Sequence, residues 1–115
     1  MRAHLARRFA AAEQDAFARA ERLRAELPRL ARMLHERGAR RVVLFGSLAP
    51  GGRPRTESDI DLCVEGLEPS VFRACAHACL DAVTEAQVDL VRWEDAPPGL
   101  RAEIAFGVEL PHVSG

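Results

Sequence analysis

The sequence predicts a small α/β protein, of the α+β kind, with a mixed sheet of three to four strands flanked by helices and preceded by an N-terminal helical extension. Three observations carry this. Apolar residues recur at helical spacing through the first third of the chain. Short apolar runs bounded by turn-forming residues then occupy 42–45, 60–64 and 88–91. A second stretch of helical periodicity separates the last two runs.

Residues 3–26 read as one helix, with Leu5, Phe9, Ala16, Phe17, Ala20, Leu23 and Leu27 near a common face and Ala, Glu and Arg between them. Pro28 suits the start of a second helix, where a missing N–H costs nothing. Leu30, Met33 and Leu34 form its stripe, and Gly38 ends it. These stripes read as core or as a partner-facing surface, and so long a first helix is expected to leave apolar face for another chain. The run Val42, Val43, Leu44, Phe45 is a buried strand, followed by an irregular loop at 48–57 holding Pro50, Gly51, Gly52 and Pro54.

Residues 59–65 form the second strand. Side chains two apart on a strand share a face, so Asp59 and Asp61 point one way while Ile60, Leu62 and Val64 enter the core. A helix at 69–86 is expected to turn Val71, Phe72, Cys75, Cys79, Leu80 and Val83 inward. The third strand covers 88–93. Pro97 and Pro98 open a short helix to about Phe106, closed by Gly107 and followed by a terminal segment at 108–110.

At 115 residues the chain is expected to be a single domain with one core. With 48% apolar and 29% charged residues and no apolar run near ~20 residues, it reads as a soluble cytoplasmic protein with no membrane association. The three cysteines, Cys63, Cys75 and Cys79, read as reduced. Cys75 and Cys79 share a helix face from which His77 points away, so they are small buried residues and not a metal site. All 16 basic residues are arginine, which excludes lysine-dependent chemistry such as a P-loop lysine or a Schiff base. Residues 1–41 carry 11 arginines against 5 acids, and residues 42–115 carry 5 against 12. This reads as a basic helical region complementing an acidic body, with a basic face for an acidic partner or nucleic acid as the alternative. The histidines His4, His35, His77 and His112 are scattered and take no role, and Trp93 reads as packing.

The chemistry is concentrated in carboxylates. Asp59 and Asp61 alone are an ordinary pattern, but Asp89 is the lone acid among Val88, Leu90 and Val91 in the third strand. If the strands are neighbours, three carboxylates converge. Two like charges ~4 Å apart repel by about 4 kcal/mol at an effective dielectric near 20, so the convergence calls for a cation. An all-oxygen donor set favours Mg²⁺, with Mn²⁺ as the alternative, over zinc, and two such ions can clamp a phosphoryl displacement. Gly46 and Ser47, the serine twelve residues before Asp59, form a turn whose backbone can approach a phosphate.

Taken together, Gly46-Ser47, Ser58-Asp59-Ile60-Asp61-Leu62, Val88-Asp89-Leu90-Val91 and the tail through Leu100, Arg101, Ile104, Gly107 and Val108 resemble the DNA polymerase β-like nucleotidyltransferases. More narrowly, they are similar to the minimal nucleotidyltransferases, the MNT-type antitoxins. The resemblance runs from about Leu27 to Leu110, dividing the chain into an extension at 1–26 and a transferase domain at 27–115. It implies the nucleotidyltransferase fold, with Asp59, Asp61 and Asp89 as catalytic and metal-binding residues. Gly46 and Ser47 would hold the phosphates of an ATP substrate, and a HEPN-type toxin would be the partner in a hetero-oligomer or homo-oligomer, receiving AMP on a hydroxyl. The sequence departs from the family where Pro50-Gly51 replaces the usual Arg-Gly, leaving Arg53 or Arg55 as the triphosphate contact. Two other functions are weighed against this one: an antitoxin that acts by occlusion without chemistry, and a transferase acting on a small molecule of the aminoglycoside type.

Overall fold

Each sequence period becomes the element it predicts, with shifts at the ends. The protein is represented by a computed structural model that describes residues 2–112, with side chains from residue 10 onward. Helix α1 spans Arg2–Arg24 and α2 spans Leu27–Glu36. The break between them is local chemistry: Pro28 lacks the N–H that an unbroken helix would donate to the Arg24 carbonyl. Strand β1 (Arg41–Phe45) leads through a single 3₁₀ turn at Gly46–Leu48 into a long loop and then β2 (Ile60–Glu65).

Helix α3 (Pro69–Ala82) ends four residues earlier than the sequence predicts, because the β-branched Val83 and Thr84 follow and Val83 is already extended. Strand β3 (Val88–Arg92), a 3₁₀ turn at Trp93–Asp95, α4 (Pro98–Ala105) and β4 (Val108–Glu109) complete the order. No described helix is long and apolar enough to cross a membrane.

The sheet is four-stranded and mixed, in the order β3-β2-β1-β4. Strand β1 pairs antiparallel with both β2 and β4, while β2 and β3 run parallel. The parallel pair needs a crossover, which α3 supplies.

The two sheet faces are covered unequally. Val42, Leu44, Ile60, Leu62, Val64 and Val88 join Ala20 and Leu23 of α1, Leu27, Leu30 and Leu34 of α2, and Cys75 and Cys79 of α3 in one buried cluster. Burying a leucine side chain contributes roughly 1.5–3 kcal/mol, so the fully buried Leu23 makes the second half of α1 part of this core. On the opposite face, Val43, Phe45, Cys63 and Ile104 form a smaller cluster under α4, edged by Val91, Trp93 and Leu100.

Leu5 and Phe9 lie outside the described side chains. Phe17 and Leu80, both expected inward, are 66% and 46% exposed. Phe17 follows the buried Ala16, one position round from the line that continues through Ala20 and Leu23. Leu80 is likewise one position past the buried Cys79.

Cys63, Cys75 and Cys79 are free and buried, and His77 is exposed, as the small-hydrophobe reading expects. Burial pushes the Cys63 and Cys79 thiols up to about 11, which removes them from thiolate chemistry. Trp93 packs between two guanidinium groups, Arg41 at 4.9 Å and Arg101 at 4.5 Å from its ring centre. His35 faces the carbonyls of Ala39 and Leu110 at 3.1 and 2.9 Å, which ties the C-terminal strand to α2.

Candidate active site

Alternation along β2 creates the site. Ile60, Leu62 and Val64 are sealed beneath the helices, so Asp61 and Cys63 must face the other way. Cys63 is covered by α4, whereas Asp61 lies beyond that cover. Asp61 stands between Phe45 of β1 and Asp89 of β3 in the sheet register. Two of the three expected carboxylates are therefore register partners on neighbouring strands. Asp89 is exposed and Asp61 half-buried.

Asp59 sits one residue before β2 and is held from two sides. Its Oδ1 accepts a hydrogen bond from the Gln87 N–H at 3.2 Å, and Arg19 Nη2 lies 3.9 Å from the same oxygen.

The electrostatics match this crowding. Burial, then the charges of Asp89, Asp59 and Glu103, push the Asp61 carboxyl up to about 6. Glu103, on α4, is a fourth acid that the sequence did not reveal, because nothing in a short helix marks which side chain will face a strand from another part of the chain.

An oxygen-only, mutually repelling cluster fits a hard divalent cation by its chemistry. Its geometry fits in part. Asp61 and Asp89 are side by side, while an Asp59 oxygen is engaged by the Gln87 amide, and among the described residues no three acidic, histidine or cysteine side chains form a ready cage.

The turn after β1 lies directly on this cluster. Gly46 has φ +79°, and a Cβ on it would overlap Asp61 Oδ2. Only glycine satisfies both demands. Gly52 folds the loop back so closely that its own Cβ would fall 2.5 Å from the Gly46 carbonyl oxygen. Ser58, 5% exposed, anchors the arrangement: its hydroxyl accepts from Ser47 Oγ at 3.0 Å and from the Arg55 N–H at 2.7 Å. The serine before Asp59 thus fixes the serine of the turn after β1.

Residues of this region line two cavities. One of about 530 Å³ is lined by Gly46, Ser47, Pro50, Arg53, Glu103 and Phe106, within the size range of small-ligand sites. The other, about 560 Å³, is lined by Phe45, Asp61, Leu80, Asp89 and Leu100. Of the two arginines expected to replace the missing loop arginine, Arg53 lines the first cavity, while Arg55 pairs with Glu57 at 3.6 Å. Pro50 also lines the cavity and contributes no charge there.

Comparison with known proteins bears on the fold and the family. No curated protein sequence matches significantly. Among solved structures, the chain is similar to a crystal structure of the toxin–antitoxin MntA–HpeT in a double Asp-to-Glu variant, at 24% identity, TM-score 0.58, covering 77% of this chain and 73% of that one. It is also similar to a tri-AMPylated HEPN toxin of Shewanella oneidensis in complex with MNT antitoxin, at 22% identity, TM-score 0.56, covering 82% and 73%. At these identities the likeness is one of fold. Family membership rests on the sequence model of the polymerase beta nucleotidyltransferases, which matches residues 29–110 and so takes in both β-strand aspartates, the glycine turn and the final strand. The chain belongs to the polymerase beta nucleotidyltransferase family.

Proposed function

We propose that this protein is a Mg²⁺-dependent nucleotidyltransferase that moves AMP from ATP to a hydroxyl group of a partner protein, and that the partner is a HEPN-type toxin which it neutralises in the cytoplasm. The observation that carries the reading is the close approach of Gly46 to Asp61, beside Asp89: a glycine turn abuts the carboxylate pair with no side chain between. In the reaction, the acceptor oxygen bonds to the α-phosphorus, the bridge to the β-phosphate breaks, and pyrophosphate leaves. Bound Mg²⁺, or Mn²⁺ in its place, would neutralise the charge that develops on the phosphates.

The chain's own residues supply the positioning. Asp59, Asp61 and Asp89 would hold the ions, Gly46 and Ser47 would seat the phosphates, and Arg53 would neutralise the triphosphate tail from the loop. Asp89, the most open of the three, lines the second cavity, and in this reading it would accept the acceptor hydroxyl's proton. In this reading, residues 1–26 extend a transferase domain at 27–115. A HEPN partner is supported by the complexes whose fold this chain shares.

The test is to incubate the protein with its cognate toxin, ATP and Mg²⁺ and to weigh the toxin intact. A rise by one or more nucleoside monophosphate masses is expected, and no rise with Asp61→Asn. An unmodified toxin under these conditions overturns the reading.

The exposed Phe17, Leu80 and Phe106 favour a second reading, neutralisation by occlusion alone. It requires that Asp61→Asn still rescue cells from the toxin.

A further inference from the structure

The geometry points to Arg19 as a positioning residue for the carboxylate cluster, so that α1, which lies outside the matched family segment, would be part of the catalytic apparatus. This inference rests on the transferase reading. Among the described side chains of α1, Arg19 is the one that reaches the site in several directions. Its Nε and Nη2 donate to the Ser58 carbonyl at 3.3 and 3.0 Å, its Nη1 donates to the Glu85 carbonyl at 3.1 Å, and Nη2 stands 3.9 Å from Asp59 Oδ1. The side chain is only 17% exposed.

The two carbonyls belong to the segments that enter β2 and β3. Ser58 directly precedes Asp59, and Glu85 is two residues before Gln87, whose N–H holds Asp59. The Ile60 N–H bonds the Gln87 carbonyl at 3.1 Å and closes the junction. One planar fork therefore fixes the spacing of the two strand entrances on which the three aspartates depend. Ser58 carries the constraint further, since its hydroxyl holds Ser47 and the Arg55 backbone.

A lysine in this place has a point charge and no fork, and it cannot bridge two carbonyls with fixed geometry. Arg19 also places positive charge beside Asp59, which limits repulsion within the cluster before any cation binds. Neighbouring Arg22 serves as a contrast: it pairs at 2.7 Å with the Glu85 side chain, is 57% exposed, and stands on the same helix.

The experiment compares Arg19→Gln, Arg19→Lys and Arg22→Gln with the wild-type full chain. Mn²⁺ binding is followed by electron paramagnetic resonance without acceptor, and kcat and KM for ATP are measured separately. Arg19→Gln is expected to weaken Mn²⁺ binding and lower kcat, each by about 10- to 100-fold, as loss of a residue that orients metal ligands does. KM for ATP should change less than kcat, because Arg19 does not line the phosphate cavity and reaches Ser47 only through Ser58. Arg19→Lys should recover only part of the loss, and Arg22→Gln should behave as wild type.

Wild-type Mn²⁺ binding and kcat in Arg19→Gln would overturn the inference. An equal loss in Arg22→Gln would also overturn it, since the seating of the whole helix would then be responsible. If Arg19→Gln does not fold, a folded Arg19→Lys decides: partial loss supports the role and full activity refutes it. A wild-type chain that binds Mn²⁺ but transfers nothing refutes the transferase reading alone, and the Mn²⁺ comparison still decides Arg19.

Discussion

On β2, neighbours in sequence meet opposite environments. Ile60, Leu62 and Val64 are fully buried beneath three helices, while Asp61, between two of them, faces a side that α4 covers only in part. The first face stabilises the fold through buried apolar area. The second concentrates Asp61, Asp89, Asp59 and Glu103, whose mutual repulsion works against folding. A sheet can carry this conflict because alternation insulates the two faces: the carboxylates sit on the same strands as the core without entering it. Stability and chemistry are separated by one residue.

That separation can be broken from either side. Asp61→Asn should lower transfer by roughly a thousandfold, about 4 kcal/mol of barrier, while the circular dichroism spectrum and cooperative unfolding persist. A comparable loss of folding would show that the faces are not insulated. Leu62→Ala, one residue away, should do the reverse. It should cost about 2–5 kcal/mol in denaturant unfolding, with kcat little changed in the fraction that remains folded.

Gly46→Ala tests the boundary, since it places a methyl group at a positive φ and against Asp61. We expect about 1–3 kcal/mol of destabilisation together with a fall in nucleotide affinity, measured by thermal melts with and without ATP. A wild-type response to ATP would mean that the turn is not a phosphate seat.

The smallest effect sharpens the comparison most. Because the folded protein raises the Asp61 carboxyl from 3.8 to about 6, its contribution favours folding below pH ~4 and is lost as pH rises through 6. Without divalent cations, Asp61→Asn should therefore be more stable than wild type by roughly 1–2 kcal/mol at pH 7.5 and nearly equal to it at pH 4. Parallel urea titrations at the two pH values check this. An equal difference at both would show that repulsion at Asp61 is not the cause.

Much of this was legible in the sequence, for reasons that differ by element. The strands and helices follow from apolar spacing, and the mixed sheet follows from two antiparallel partners and one crossover helix. Asp61 and Asp89 could be found because each interrupts an apolar run that explains where it must point, and Asp59 because it stands two residues before Asp61. Arg19 gave no such signal. It is one arginine among 16, and its partners are backbone carbonyls 39 and 66 residues away. Glu103 and the exposure of Leu80 were hidden for the related reason that a side chain's place on a helix surface depends on which neighbour packs against it. Pro50 could be read as a missing arginine, but only the folded loop separates Arg53, on the cavity, from Arg55, paired to Glu57.

Trp93, described above only as packing, has a practical consequence. It is the single tryptophan in a chain without tyrosine, and it is held between Arg41 of β1 and Arg101 of α4. Arg101 also donates to the Trp93 carbonyl at 2.9 Å. Any motion of α4 relative to the sheet changes the polar surroundings of that indole. Its emission is therefore a built-in optical gauge of whether the helix carrying Glu103 is seated, and it can be read during a titration with nucleotide without attaching a dye.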